Sequence, residues 1–233
     1  MTDIILRSNI TPQGVQVADQ QGFLVKTYAH LFLGISFFFI FGYLLYILKV
    51  GVLVAGLFSS TLTAFVGFGL FILASTTAQS FAMRQSSKLV QYSALTLYAL
   101  VEAVFFSPLF LIAVATKLLI PAIAITLCIF GVLTAIVMIT GKDFSFLRSI
   151  LFYVGFAVFG MIILGFFFPA LVTGIGFAAF MILFAGAYIL YDTSRVLRDM
   201  DKTNYIGASV SLLASFILLL WYVVRFLLAF GKR

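Results

Sequence analysis

Seven stretches of the chain are apolar over about the 20 residues that an α-helix needs to cross the hydrocarbon core of a bilayer. Hydrophobic residues make up 64% of the chain and charged residues only 9%, whereas a soluble domain has roughly 25% charged residues. The sequence therefore predicts an all-α fold, a polytopic membrane protein with one bundle of seven transmembrane helices. The predicted spans are 27–48, 52–75, 90–115, 118–140, 147–168, 170–191 and 206–230.

The predicted spans follow one another with short connections, so neighbouring helices are expected to be antiparallel. We expect a single transmembrane domain over residues 27–230, with a cytoplasmic N-terminal tail at 1–26 and a short C-terminal tail at 231–233. Pro108 falls inside the third span. Because proline removes a helical hydrogen bond and crowds the preceding turn, we expect a kink there.

Lysine and arginine are unevenly distributed between the two sides of the predicted bundle. Positively charged loops favour the cytoplasmic side, which places the N-terminus in the cytoplasm and the C-terminus outside. Anionic lipid headgroups are sufficient partners for the net charge of +7, so no nucleic-acid partner is expected. The N-terminal side holds Arg7, Lys26, Arg84, Lys88, Lys142, Arg148, Arg195, Arg198 and Lys202, and the other side holds Lys49, Lys117, Lys232 and Arg233.

Two of the seven acidic residues, Glu102 and Asp192, fall within or at the end of predicted spans. An ionisable group at membrane depth is costly, which makes each a functional candidate. On a helical wheel Ala178 and Ala185 lie within about 40° of Asp192, and Gly174 lies five turns before it. Small residues mark a packed helix face, so Asp192 is predicted to face the bundle.

For Asp192 two interpretations remain open from the residues alone. It is either a helix-end carboxylate that pairs locally with Arg195 or Arg198, or a carboxylate buried between helices that senses protons.

Glu102 and Arg225 also allow two interpretations each. Glu102 is either a packing group bonded to Tyr98 or a second functional carboxylate. Arg225 either extends toward the membrane surface or pairs with Glu102 or another acid.

Several membrane chemistries lack the residues that they need in this chain. An intramembrane aspartyl protease uses two aspartates that share a proton, and the predicted spans hold no second aspartate. Serine and zinc hydrolases need a histidine base or several nitrogen and sulfur ligands, whereas the chain has one histidine, His30, and one cysteine. We therefore expect no enzymatic activity, no cofactor and no bound metal.

Three motifs in the second half of the chain carry a family resemblance: "KDFSFL" at 142–147, "AYILYDTS" at 187–194 and "TNYIGASVSLL" at 203–213. They resemble the Bax inhibitor-1 family, also called the transmembrane Bax inhibitor motif family, and within it the bacterial YccA-like branch. "KTYAHLFLGIS" in the first span and "SPLF" in the third are similar to the family as well. The resemblance implies a bundle in which the last helix is surrounded by the other six, located in a bacterial inner membrane.

The resemblance implies two roles. YccA-like members associate with the membrane-anchored AAA protease FtsH and restrain its degradation of membrane proteins, which predicts a protease regulator. Alternatively, family members act as pH-sensitive calcium leak channels, in which an aspartate late in helix six and another in helix seven form the gate. Asp192 stands at the first of these positions and Ser215 at the second, so Glu102 is the remaining candidate for a second carboxylate. In this alternative Ca²⁺ or H⁺ passes through the protein and is not a bound cofactor.

Overall fold

The computed structural model describes residues 12–84 and 87–231 of the 233-residue chain. The described residues do not include residues 1–11, which contain Arg7. They also exclude most of the predicted C-terminal tail, namely Lys232 and Arg233. The described helices, in chain order, are α1 (Pro12–Ile47), α2 (Val50–Leu57), α3 (Thr61–Met83), α4 (Lys88–Ala115), α5 (Leu119–Thr140), α6 (Leu147–Gly165), α7 (Ala170–Thr173), α8 (Ile175–Arg198) and α9 (Tyr205–Phe230).

Seven of the described helices are long and apolar enough to cross a membrane, namely α1, α3, α4, α5, α6, α8 and α9. This confirms the predicted all-α fold with seven spans. At one end of the bundle α3 and α8 end and α4, α6 and α9 begin. We call it the basic end, because Lys88, Arg148, Arg195 and Arg198 lie there.

The second span differs from its prediction at both ends. Residues 52–57 belong to the short helix α2, and the span begins only at Thr61. Ser60 caps it, with its hydroxyl accepting a hydrogen bond from the Thr63 amide at 3.3 Å. The helix then continues past residue 75 to Met83, through polar residues that hydropathy alone had assigned to a loop.

Two other helices also extend beyond their predicted limits. α1 begins at Pro12, so residues 12–26, predicted as a tail, are helical. α8 continues to Arg198, which places Asp192 inside the helix and not after its end. The backbone of Gly174 is extended, and it separates α8 from the single turn of α7.

The last helix, α9, forms the centre of the bundle. It packs against α1, α3, α4, α5 and α8, and its Tyr222 contacts Val158 of α6 in a hydrophobic cluster. Leu212, Phe216 and Leu220 are completely buried. At the basic end α9 approaches α3 so closely that a Cβ atom on Gly207 would lie 2.8 Å from the Ala82 carbonyl oxygen, so only glycine fits there.

Pro108 lies inside the continuous helix α4. A proline at this position cannot donate to the carbonyl of Val104, four residues earlier. The Ser107 hydroxyl donates to that carbonyl at 2.7 Å instead. A local side chain thus satisfies the freed backbone group, which is how proline is tolerated in transmembrane helices.

Candidate functional site

A cavity of about 930 Å³ lies between α3, α4, α6, α8 and α9. Both carboxylates singled out from the sequence, Glu102 and Asp192, line it. Ser75, Tyr98 and Ser215 are among the other lining residues. Two acidic groups from helices that are distant in sequence therefore share one space within the membrane-spanning part of the protein.

Asp192 faces the interior of the bundle and is only 8% exposed. The Ser215 hydroxyl of α9 donates a short hydrogen bond to its carboxylate. Ala178 and Ala185, on the same side of α8, are buried as well, whereas Gly174 precedes the helix. The carboxylate and its serine partner therefore join α8 to the central helix.

Arg195 and Arg198 were the two predicted local partners of Asp192, and only Arg195 lines the same cavity as Asp192. Arg198 donates to the carbonyl of Gly141, so a pair between Arg198 and Asp192 is wrong. Six residues turn a helix by about 240° beyond one full turn, which points Arg198 away from Asp192. Arg195, three residues from Asp192, lines the same cavity.

Glu102 accepts a hydrogen bond of 2.6 Å from the Ser75 hydroxyl of α3. Tyr98, one turn before Glu102 on α4, is buried and lines the same cavity as Glu102 and Asp192. The sequence had indicated Tyr98 as a neighbour of Glu102 but had missed Ser75. The polar run "STTAQS" at 75–80, inside an otherwise apolar helix, was the signal that could have revealed it.

Arg225 lies nearer the opposite end of the bundle than either carboxylate. Its guanidinium donates to the Val172 carbonyl at 2.7 Å, so the predicted pair with Glu102 is wrong. Helix rise explains the separation: Arg225 lies about 30 Å from the start of α9, whereas Glu102 lies about 21 Å from the start of α4, and both helices start at the basic end.

On α3 and α9 the cavity lining is polar toward the basic end and apolar toward the other end, whereas α6 presents mainly apolar residues along its length. On α3 the lining changes from Phe68 and Phe71 to Ser75, Gln79 and Ser80. On α9 it changes in the same direction, with Trp221 and Leu218 at the apolar end and Ser215 and Ser211 at the polar end. Water and ions can therefore be accommodated beside the carboxylates but not in the apolar half.

Aromatic rings line the apolar half of the cavity. Phe105 stacks on Phe71 at 3.9 Å and on Trp221 at 5.2 Å between ring centroids. Phe68 contacts Phe159 of α6 at 6.4 Å. We call Phe68, Phe71, Phe105, Phe159 and Trp221 the aromatic cluster. It separates the two carboxylates from the opposite end of the bundle.

The "KDFSFL" segment forms a fixed loop at the basic end. The Phe144 amide donates to the Ser194 hydroxyl at 3.0 Å, which attaches the loop to α8. Asp143 accepts a hydrogen bond from the Ser145 amide at 2.8 Å, and that bond lowers the pKa of Asp143. Phe146 is nevertheless 64% exposed.

The "TNYIG" segment closes the basic end through one buried asparagine. Asn204 donates to the Met83 carbonyl at 2.8 Å, and its own carbonyl accepts from Gln91 at 3.1 Å and from the Gly207 amide at 3.0 Å. It therefore caps α9 and joins it to the end of α3 and the start of α4. Residues 203–207 therefore have a structural role, and they do not line the cavity.

In the part of the chain that the structure describes, no group of three or more histidine, cysteine or acidic residues could hold a metal ion. His30 lies outside the cavity lining, with its ring nitrogen 2.8 Å from the Tyr92 hydroxyl.

Comparison with known proteins gives one family match and several partial relatives. The sequence profile described as "Inhibitor of apoptosis-promoting Bax1" matches residues 20–232. An uncharacterized protein of Pseudomonas aeruginosa is 35% identical over 94 residues, 40% of this chain and 42% of that protein. An uncharacterized protein of Pasteurella multocida is 34% identical over 105 residues, 43% of this chain and 46% of that protein.

An uncharacterized membrane protein of Vibrio cholerae is 33% identical over 91 residues, 39% of this chain and 40% of that protein. In each of these three comparisons the chain spans less than half the length of the relative. No solved structure matches the chain at a significant level.

Proposed function

The chain belongs to the Bax inhibitor-1 family of polytopic membrane proteins, and on that premise we propose that it is a proton-responsive cation leak. The passage begins in the cavity at the basic end. The observation that supports this proposal is that Glu102 and Asp192, from two different helices, line one cavity. Glu102 thereby supplies the second carboxylate that the helix-seven position, occupied by Ser215, lacks.

The two carboxylates act through their charge. When they are ionised, two negative groups in a confined space attract a cation, and proton uptake removes that attraction. Calcium prefers several oxygen ligands, and the polar half of the cavity offers carboxylate and hydroxyl oxygens from Asp192, Glu102, Ser75 and Ser211. These groups suit brief passage better than tight binding, because among the described residues the cavity lining contains two carboxylates and no group of three.

The hydrogen bonds of the carboxylates connect their charge to helix position. Asp192 holds α8 to α9 through Ser215, and Glu102 holds α4 to α3 through Ser75. A change of charge on either carboxylate alters one of these interhelical bonds. Conduction then requires the aromatic cluster to separate, since its rings lie across the route to the opposite end.

For the orientation, we propose that the basic end faces the cytoplasm of a bacterium and that the protein lies in the inner membrane. The uneven distribution of lysine and arginine supports this orientation. The bacterial origin of the matched relatives supports the location.

Cation flux into liposomes tests the proposed leak. Purified wild type, Asp192→Asn and Glu102→Gln are reconstituted, and Ca²⁺ uptake is followed with an entrapped indicator at pH 6, 7 and 8. We expect uptake by wild type to depend on pH, and each variant to lose that dependence because it lacks one titrating carboxylate.

The matched control is Asp199→Asn, which removes an exposed carboxylate at the end of the same helix as Asp192. It should behave as wild type. Equal, negligible flux in all four proteins at every pH would rule out the leak.

A second candidate function, regulation of the membrane-anchored AAA protease FtsH, is supported by the "KDFSFL" loop. The loop is attached to α8 by the bond from the Phe144 amide to Ser194, and Arg198 of α8 bonds to the carbonyl of Gly141 just before the loop. The loop presents Phe146, 64% exposed, at the basic end. If that end faces the cytoplasm, as proposed, Phe146 is exposed on the cytoplasmic side of the membrane. The loop thus offers a preformed apolar contact for the protease.

Co-purification from bacterial membranes tests the regulatory role. Wild type should retain FtsH, and Phe146→Ala should retain less. Phe230→Ala is the control, because Phe230 is 63% exposed at the opposite end. If wild type retains no protease, and its loss leaves the turnover of FtsH substrates unchanged, the regulatory role is excluded.

A further inference from the structure

The cavity is bounded on one side by two helices that face the bilayer, α3 and α6. In the apolar stretch of each, 11% of the residues are buried, against 56% in α9. α3 packs against α4 and α9, whereas α6 packs against α8. Among the described residues, the ring contacts that link α3 to α6 and to Phe166, the residue after it, lie away from the basic end: Phe68 meets Phe159 at 6.4 Å, and Phe65 and Phe68 meet Phe166 at 6.0 and 5.7 Å.

Toward the basic end the same two helices line the cavity without such ring contacts. α3 contributes Thr76 and Gln79 there, and α6 contributes Gly155. Phe152 and Phe156 of α6 also line it, and they are 69% and 74% exposed. These residues therefore face both the cavity and the region that lipid occupies. We call the space between them the lateral gap.

The cavity is deep enough to span one leaflet, and along α3 and α9 its polarity follows that of a leaflet. Its lining on α3 runs from Phe68 to Met83, about 22 Å of helix, which exceeds the roughly 15 Å of hydrocarbon in one leaflet. The polar half lies at the basic end, where the leaflet's headgroups lie, and the apolar half lies toward the bilayer centre. Arg195 lines the polar half and adds a positive charge at headgroup level.

We propose that one acyl chain of a bilayer phospholipid enters the cavity through the lateral gap, with its end against the aromatic cluster and its phosphate near Arg195. The acyl chain runs parallel to the other lipids of its leaflet. The polar part of the lipid therefore contacts the polar half of the cavity, and the apolar part contacts the apolar half. The phosphate, being anionic, is complementary to the guanidinium of Arg195. The occupant is supplied by the membrane itself.

This inference concerns entry from the bilayer, and it does not depend on ion passage. An acyl chain in the apolar half keeps water out of that half. If the protein also conducts cations, the lipid must leave or shift before the aromatic cluster can open. The lipid would then be a ligand of the closed conformation.

Trp221 provides a direct probe, because it is the only tryptophan of the chain and it lines the cavity. The full-length protein is reconstituted in phosphatidylcholine–phosphatidylglycerol vesicles whose acyl chains carry bromine near their ends, and tryptophan emission is compared with vesicles of unbrominated lipid. We expect loss of most of the Trp221 emission, since bromine quenches on contact. Iodide added to the water should quench little.

Two matched glycine variants on α6 test the route. Gly155 lines the cavity, and a Cβ atom there would lie 3.5 Å from Phe184 and Tyr188, an ordinary contact. Gly155→Leu therefore adds a bulky side chain at the cavity wall, and we expect it to obstruct the lateral gap. Gly160→Leu adds the same side chain where a Cβ atom meets nothing within 4 Å. Quenching by brominated lipid should fall in Gly155→Leu and stay at the wild-type level in Gly160→Leu.

Three outcomes would overturn the proposal: no quenching of wild type by brominated lipid, stronger quenching by iodide than by lipid, or equal quenching in both glycine variants. The first two are read from wild type alone, so they decide the matter even if Gly155→Leu does not fold. In that case Gly155→Val, which adds a smaller side chain, tests the route. Flux measurements play no part in these readings, so failure of the leak leaves the lipid site to be judged separately.

Discussion

Replacing Ser215 with alanine removes the hydrogen bond that joins the central helix to Asp192. Ser215 is 3% exposed and Asp192 is 8% exposed, so bulk water cannot freely replace the lost donor. Leaving a buried acceptor without its partner costs about 1–3 kcal/mol, and interhelical hydrogen bonds in membrane proteins average about 0.6 kcal/mol, with a maximum of about 1.7. Because Asp192 borders a cavity that can hold water, we expect a loss of about 1–2 kcal/mol.

The assay is the free energy of unfolding in detergent micelles for wild type, Ser215→Ala, Asp192→Asn and the double variant. The double-mutant cycle isolates the interaction between the two side chains, and we expect a coupling of about 1 kcal/mol. Ser209→Ala is the control on the same helix. Ser209 is also buried, but its hydroxyl donates to the Ile206 carbonyl within α9. That carbonyl keeps its helical hydrogen bond in Ser209→Ala, so the loss of stability should be smaller.

A coupling within about 0.5 kcal/mol of zero, the range in which independent sites are additive, would refute this reasoning. A loss in Ser209→Ala as large as that in Ser215→Ala would refute it too, because it would reflect general destabilisation of α9.

Three further predictions concern the basic end and can be measured by the same unfolding assay. Asn204→Ala should lower the free energy of unfolding by about 2–3 kcal/mol, because it removes a helix cap and two interhelical hydrogen bonds together; a loss below that of a single cap would contradict this. Gly207→Ala should cost about 1–3 kcal/mol through overpacking against α3, whereas Gly160→Ala, in open space, should cost nothing measurable. The Thr203 amide and hydroxyl hold the pKa of Asp201 below its usual range, so Asp201 stabilises the fold above the unfolded-state pKa, and this stability is lost as pH falls through the lowered folded value. Asp201→Ala should therefore differ most from wild type above about pH 4 and converge with it in stronger acid; a difference that grows on acidification would contradict the assignment.

The number of spans was predictable from the sequence because hydrocarbon thickness sets the length of an apolar helix. The limits of the spans were less predictable where polar residues face protein instead of water. The second span was assigned to 52–75, since the polar residues that follow it, Thr76, Gln79 and Ser80, read as loop residues when their surroundings are unknown. Their position beside the cavity is a tertiary property, which hydropathy cannot reveal.

The candidate site was predictable only in part, because tertiary packing is again not visible in the sequence. Helical spacing placed Asp192 on the face with Ala178 and Ala185, and the family resemblance aligned Ser215 with the position opposite. Glu102 lines the same cavity and bonds to Ser75 because of the way in which α3 and α4 pack against α9. A single sequence does not record that packing, and the wrong pair between Glu102 and Arg225 has the same origin.

Thiol labelling at two neighbouring positions of α3 tests most directly whether the carboxylates share a cavity that is wet at one end and sealed at the other. In a Cys128→Ala background, which removes the only cysteine of the chain, Ser75→Cys and Phe71→Cys are treated with a charged, membrane-impermeant thiol reagent from the side of the basic end. We expect rapid labelling at position 75, beside Glu102, and at least about tenfold slower labelling at position 71, one turn farther inside the aromatic cluster. Equal labelling rates at the two positions would contradict the division of the cavity into a polar and a sealed half.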